Sequence, residues 1–402
     1  MTTPTGTITM ADVNVELGFS STAQISLNNA DVRALAGIPS GTISMNDLRG
    51  KPSLLPYLSV VNSTAITVRI GAYSWSSSGF GSRYTNPTQP TSAADKTRFA
   101  KSTSSILYTT STSTFGYING FPWSSSGFGT KYTNPVGAVG GAGNDLAFNK
   151  AENVVAYSST STPYISAYPW SSSGFGTRFT SPATTPTGTG YGVTFCVDDN
   201  VLVVGHSTSP YITAYAWSNS TGFGSKYADP SVLPSARGWG MSSYDRKSLG
   251  VAYDARVAVA RFNTSIPVVV YGIDTAGWQG TYSGPASYPA PYGSDAKFAV
   301  NAGYSGYLAV SSSSYTSPNS SPYIQVYAWT DNLGYGTKYS NPATLPTGSV
   351  ADVSWNNQTA LITAHTNSPY VTAYPWSSSG FGTKYSDPST SVGATGNGVE
   401  FF

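Results

Sequence analysis

Residue types able to do chemistry are few in this chain, and their placement limits what they can do. Its two histidines, His206 and His365, hold one place in one phrase: Val-Gly-His-Ser-Thr-Ser-Pro-Tyr at 204–211 and Thr-Ala-His-Thr-Asn-Ser-Pro-Tyr at 363–370. A histidine works as general base or metal ligand where a second group converges on it. Neither histidine has a partner at metal-ligand spacing, and their recurrence in matching phrases points to a structural hydrogen bond at a turn. Cys196 is the only cysteine, which excludes an intrachain disulfide and a cysteine-built zinc site. Carboxylates are scattered. Asp198 and Asp199 fall in a turn-like Asp-Asp-Asn stretch, where Asp is expected for local hydrogen bonding. Nothing marks the facing carboxylate pair of a glycosidase, and no Ser-x-Asp-x-Gly-x-x-Trp box of the sialidase type is present. The recurrent Gly-Phe-Gly follows no strand-to-helix phosphate cradle, so its expected use is to turn the chain. The reading is of a protein that is not an enzyme, with no catalytic residue, no metal and no cofactor.

The elements that must position these residues come from a repeat. One phrase returns seven times, clearest as Pro-Tyr-Ile-Thr-Ala-Tyr-Ala-Trp at 210–217 and Pro-Tyr-Val-Thr-Ala-Tyr-Pro-Trp at 369–376. Its signature aromatic is Trp75, Trp123, Trp170, Trp217, Trp329 and Trp376, with Ile273 in a decayed fifth copy, at spacings of 47 to 56 residues. A unit of this length cannot bury its own faces, so neighbouring copies must stack. Within a copy the apolar period is two, the mark of half-buried strands. Glycine- and serine-rich turns divide each copy into four short strands, the first with its own aromatic: Phe99, Phe148, Phe195, Tyr244, Phe298, Trp355 and Phe401. Four strands in seven copies predict an all-β, seven-bladed β-propeller over 57–402. The copy beginning at Tyr57 lacks a first strand, and the chain ends on Asn397-Gly-Val-Glu-Phe-Phe402, a first strand with nothing after it. Residues 396–402 should therefore complete the blade begun at Tyr57.

Composition narrows the partners. Charged residues are 9% of the 402, well under the roughly 25% of ordinary domains, and the net charge is +2. Arg83, Lys131, Arg178, Lys226, Lys338 and Lys384 hold one equivalent place on the outermost strand of six copies, where a cation discourages edge-to-edge pairing. That is not a nucleic-acid patch. No apolar run is long enough to span a membrane, and Met1-Thr-Thr-Pro-Thr-Gly lacks the features of a signal peptide. The chain is expected to be made in a cytoplasm.

Residues 1–50 are a different object, joined by a proline-containing linker at 51–56. Gly6-Thr-Ile-Thr-Met10-Ala-Asp12-Val13, Gln24-Ile-Ser-Leu27 running to Asp31-Val32, and Gly41-Thr-Ile-Ser-Met45-Asn-Asp47-Leu48 repeat a smaller unit. Each offers an extended Ile-x-Met/Leu, an Asp or Asn able to cap a helical turn, and a glycine terminator. Short strands and one- to two-turn helices are expected, in a mixed α/β segment too small to be robust alone.

This triple pattern, above all Ala34-Leu-Ala-Gly-Ile-Pro-Ser-Gly-Thr-Ile-Ser-Met-Asn-Asp-Leu-Arg-Gly50, resembles an amino-terminal segment of virion structural proteins of tailed bacteriophages. The repeat at 368–385 is similar to WD40-like propeller repeats of phage and bacterial proteins, although no Trp-Asp dipeptide follows the third strand. The resemblance implies a virion protein, such as a tail protein. Residues 1–50 would dock among other virion proteins, and the propeller would face outward as adhesin, receptor-binding or decorative module toward a host glycan or protein receptor. A soluble lectin-like propeller with equivalent glycan sites between blades, and a cytosolic scaffold, are the alternatives.

Departures between copies are where binding is expected. The fifth copy carries about nine extra residues near Ala255-Arg-Val-Ala-Val-Ala-Arg-Phe262, and the sixth a Ser/Tyr loop from Ser311 to Ser321, both placed between the second and third strands. Insertions on one face of a repeat protein often mark its binding face. Arg256, Arg261, Phe262 and Tyr315 are the candidate binding residues.

Overall fold

The computed structural model describes residues 6–16, 22, 24, 26–28, 32–33, 36, 38, 41–49, 57–62, 69–88, 93–111, 117–124, 126–137, 141–246, 254–261, 268–282, 284–285, 293–300, 304–312 and 323–402. Seven four-stranded antiparallel sheets account for the chain from Tyr57 onward. Blades are counted here from Tyr57, and strands within a blade from the innermost outward. The fourth blade is representative: Gly190–Cys196, Val201–His206, Ile212–Ser218 and Gly222–Lys226, each paired with the next.

Burial explains the sequence pattern. In five of the seven blades the second strand, such as Val201–His206, is buried at every position, because it is covered on both faces by neighbouring blades. The third strand Ile212–Ser218 buries all but Ala216 and Ser218, and the fourth strand Gly222–Lys226 is half-exposed.

The signature tryptophans are the bolts of this stack. Trp217 is met edge-on by Phe195 from its own first strand at 5.2 Å, by Phe223 from its own fourth strand at 5.0 Å, and by Phe179 of the preceding blade at 5.2 Å. Trp75, Trp123, Trp170, Trp329 and Trp376 each sit in an equivalent trio of rings. Edge-to-face pairs add about 0.5–1.5 kcal/mol each beyond their buried area. In the fifth blade Ile273 stands in for the tryptophan, and Trp278 fills the place of the smaller Phe223, with Tyr227 and Trp278 both packed against the cluster that holds Ile273. Bulk has been moved between two positions of one core.

The ring closes as the two chain ends predict. Gly396–Phe401 pairs antiparallel with Tyr57–Asn62, in register Leu58↔Phe401 and Val60↔Val399. Phe401 meets Trp75 at 5.0 Å, as Phe195 meets Trp217.

Ahead of the propeller, Ile8, Val13, Val32, Ala36 and Leu48 form a small core of their own. A helix over Met10–Glu16 and a 3-10 turn over Met45–Leu48 start in the same way. The Asp12 carboxylate accepts from Thr9 N at 2.7 Å, and the Asp47 carboxylate from Ser44 N at 2.8 Å. The cap is thus the Thr or Ser, with Asp reaching back from the third helical position. The short strands expected here are not found among the described residues.

Candidate functional site

The histidines end the second strands of the fourth and seventh blades and are fully buried. His206 Nε2 lies 3.0 Å from Thr213 Oγ1, and His365 Nε2 lies 2.9 Å from Thr372 Oγ1. Burial pulls both down to about 4, so both rings are neutral at pH 7. They lie three blades apart, and each satisfies a buried polar neighbour.

The fifth blade departs from the others at a different place from the one the insertion suggested. Residues 255–261 are not an inserted loop: Asp254–Arg261 is the second strand itself, paired on both sides. Arg256 lies near the start of that strand and Arg261 ends it, so the two sit toward opposite faces of the ring, and both are buried. Arg261 takes the place held by His206 in the fourth blade and donates to Ser235 Oγ at 2.9 Å. Ser311 and Ser312 likewise belong to a strand, Ser305–Ser312. Phe262 and Tyr315 lie outside the described residues.

Arg256 belongs to a charge network joining the fifth and sixth blades. Its Nε lies 2.9 Å from Asp331 and its Nη1 3.0 Å from Asp254, while Arg246 bridges the same two carboxylates at 2.5 and 2.7 Å. The Arg256 guanidinium also lies over the Tyr282 ring at 5.2 Å. Two cations and two anions balance here. An open groove of about 380 Å³ beside them is lined by Arg246, Asp254, Arg256, Asp274, Gln279 and Tyr282, among others.

A second cavity lies where the seven first strands converge. These strands bring charged side chains inward. Lys96 pairs with Asp352 at 3.0 Å, and Arg98 pairs with Asp145 at 3.1 Å and Glu400 at 3.8 Å. Burial opposes the Lys96 charge, but Asp352, Asp295 and Asp145 outweigh it and hold its ammonium above its ordinary range. Burial pushes the Asp295 carboxyl far up. Asp352 is buried too, yet Lys96 holds it below the carboxylate range. Asp145 and Asp352 also accept from backbone amides, Val193 N and Val399 N. Together the paired side chains form a salt-bridged plug across the channel.

Above the plug, the second residue of each first strand forms a ring: Asp95, Asn144, Tyr191, Trp239, Ser294, Ala351 and Asn397. Six of these seven, with Lys96, line a cavity of about 140 Å³. Tyr191 and Trp239 stack at 4.4 Å and 14°, and the Arg237 guanidinium lies 5.2 Å from the Trp239 ring. Asn397 Nδ2 donates to Asp95 at 3.1 Å, and Asn144 Nδ2 to Gly190 O at 2.7 Å. Burial raises Asp95 to about 6, against the pull of Lys96 and Asn397. Insertions in the sequence did not point to this ring. Its signal is a single column of the repeat, one residue after the start of each first strand, where residue type changes freely between otherwise regular copies.

No family model matches the chain, and no curated protein matches it in sequence. Solved structures do match in fold. A Bacteroides fragilis protein described as a candidate 6-phosphogluconolactonase aligns with a TM-score of 0.64 at 11% identity, over 86% of this chain and 98% of its own. The periplasmic gluconolactonase of Pseudomonas aeruginosa aligns with a TM-score of 0.61 at 12% identity, over 86% and 99%. A Lactobacillus plantarum protein aligns with a TM-score of 0.62 at 16% identity, over 86% and 99%. At these identities the likeness is one of fold, and the fold is the seven-bladed propeller.

Proposed function

We propose that the chain is a display protein of a tailed-phage virion, in which residues 1–50 dock among other virion proteins and the closed propeller is the outward binding body. The observation that carries this reading is the separation of cores. Ile8, Val13, Val32, Ala36 and Leu48 pack with one another, while each propeller cluster draws on residues from Tyr57 onward. So small a core is marginal alone and gains from a host surface. The receptor-facing role draws on the ring mouth and on the Arg256 groove, two cavities lined by blade-specific side chains. Equivalent glycan sites between blades are disfavoured, because the six signature tryptophans are at most 5% exposed. Deleting residues 1–50 tests docking: the shortened chain should stay out of assembled particles while remaining folded, and normal incorporation would sink the reading.

A second reading is hydrolysis of a sugar lactone, the activity in the names of two fold neighbours. Asp95 at the ring mouth, raised toward neutrality, is the group that favours it. Gluconolactone opening faster than the spontaneous rate, and lost in Asp95→Asn, would support this reading over the first.

A further inference from the structure

We infer that the ring mouth binds one neutral hexopyranose unit, held between the Tyr191–Trp239 wall and the Asp95–Asn397–Asn144 arc. This rests on the reading of the propeller as a binding body and names its ligand class.

Tryptophan usage carries the inference furthest. Of the nine tryptophans, six are the interblade bolts, and Trp278 and Trp355 pack in the same aromatic cores. Trp239 alone stands at the channel mouth. Blade packing asks for no aromatic there, since the equivalent places hold Asp95, Asn144, Ser294, Ala351 and Asn397 as well as Tyr191. Its ring is fixed by the parallel stack on Tyr191 and by Arg237. Little rotamer freedom is left to lose when a ligand packs on this wall.

The rest of the mouth is complementary. Asn397 and Asp95 come from the first and second blades, across the ring from Tyr191 and Trp239 of the fourth and fifth, and Asn144 of the third blade joins the two sides through its bond to Gly190 O. The Asp95 carboxylate can accept and the two carboxamides can both donate and accept, a set that suits adjacent hydroxyls. The C–H groups on one face of a pyranose carry partial positive charge and suit the negative face of an aromatic ring. The mouth presents charge of both signs, Asp95 against Lys96 and Arg237, so it offers no net preference for an ion over a neutral polyol. Size agrees as well: about 140 Å³ holds roughly five waters at ~30 Å³ each, well below the ~300–1,000 Å³ of pockets for larger ligands. One sugar ring seated in a mouth open to solvent fits that space, and a longer glycan would continue outward.

The test uses the full chain. Methyl glycosides of glucose, galactose, mannose and N-acetylglucosamine are titrated by saturation-transfer NMR and tryptophan fluorescence, alongside tetramethylammonium and inorganic phosphate. At least one glycoside should bind, with ring C–H protons saturated most strongly. Trp239→Ala and Asn397→Ala should each weaken it at least tenfold, with melting temperatures near wild type, and the distant surface variant Lys150→Ala should leave it unchanged. If Trp239→Ala does not fold, Asn397→Ala alone decides. No glycoside binding at tens of millimolar, binding indifferent to these variants, or preferential binding of the ammonium or phosphate probe overturns the inference. Sugar binding by a chain that fails to enter particles would leave the site standing and remove only the docking reading.

Discussion

At the scale of single residues, burial makes the histidines and the fifth-blade charges consequential for stability. His206 and His365 ordinarily titrate near 6.5 and are drawn down to about 4 in the fold, so the unfolded chain binds protons first. Their contribution is complete above pH 6.5 and is lost as pH falls toward 4, at roughly 2–3 kcal/mol for each ring. Asp95, raised to about 6, has the opposite sign and offsets part of the slope, so the histidine term is best isolated by difference. A His206→Gln/His365→Gln chain should show a flatter dependence of urea midpoint on pH between 6.5 and 4 than the parent; an equal slope would contradict neutral, buried rings. Charge pairs divide by burial in the same way. Asp331→Asn leaves Arg256 and Arg246 short of a carboxylate in a largely buried place and should cost about 3–5 kcal/mol. Asp229→Asn breaks the Lys226–Asp229 pair, 2.5 Å apart at the surface, and should cost less than about 1 kcal/mol. Parallel denaturation of the two variants checks the ranking.

At the scale of the element, the first glycine of each Gly-Phe-Gly turn is held from two directions. Gly222 has φ +83, and a Cβ there would lie 2.8 Å from the Phe179 ring of the preceding blade. Gly79 repeats this, with φ +97 and Tyr385 at 2.8 Å. The turn must reverse tightly and also let a neighbouring ring reach the tryptophan behind it. Gly222→Ala should therefore cost about 1–3 kcal/mol, seen as a lower urea midpoint with native fluorescence retained; an unchanged midpoint would mean that the Phe179 contact is dispensable. The outer-strand cations also gain a definite role here. Lys226 and Lys384 reach Asp229 and Asp387 three residues on, while Lys131 and Lys338 reach Asn134 and Asn341. Each ties down the exit from the fourth strand; Lys226 and Lys338 end that strand, whereas Lys131 and Lys384 lie three residues beyond the short strands Gly127–Phe128 and Gly380–Phe381, outside the edge that the sequence assigned them.

At the scale of the whole molecule, ring closure governs stability. Removing 396–402 takes away Phe401, the partner of Trp75, and the strand that pairs with Tyr57–Asn62. Loss of one buried Phe alone typically costs about 3–5 kcal/mol, a large part of an ordinary stability of ~5–15 kcal/mol. A chain ending at Thr395 should aggregate or melt far below the intact protein. Deleting Met1–Gly50 should leave the propeller's melting temperature nearly unchanged, because its core is separate. Calorimetry on the two truncations checks both, and similar melting of the Thr395 chain and the intact one would contradict closure by this strand.

The blade count, the four strands per blade and the closing strand were legible in the residues, because every copy must bury the same faces and therefore repeats Trp, Phe and Gly at fixed offsets. The structural role of His206 and His365 was legible for the same reason: they share one place in two copies. What the residues could not decide was convergence. Asp95, Asn144, Tyr191, Trp239 and Asn397 lie in five different blades and meet only because the ring brings the first strands around one axis. Each looks unremarked within its own copy. The extra length of the fifth copy could be counted but not located, since Arg256 and Arg261 alternate with valine and alanine as well in a strand as in an inserted hairpin. Pairing with Gly238–Arg246 and Val268–Asp274 on its two sides places that segment as the blade's own second strand, and pairing across a sheet is a property of the tertiary fold.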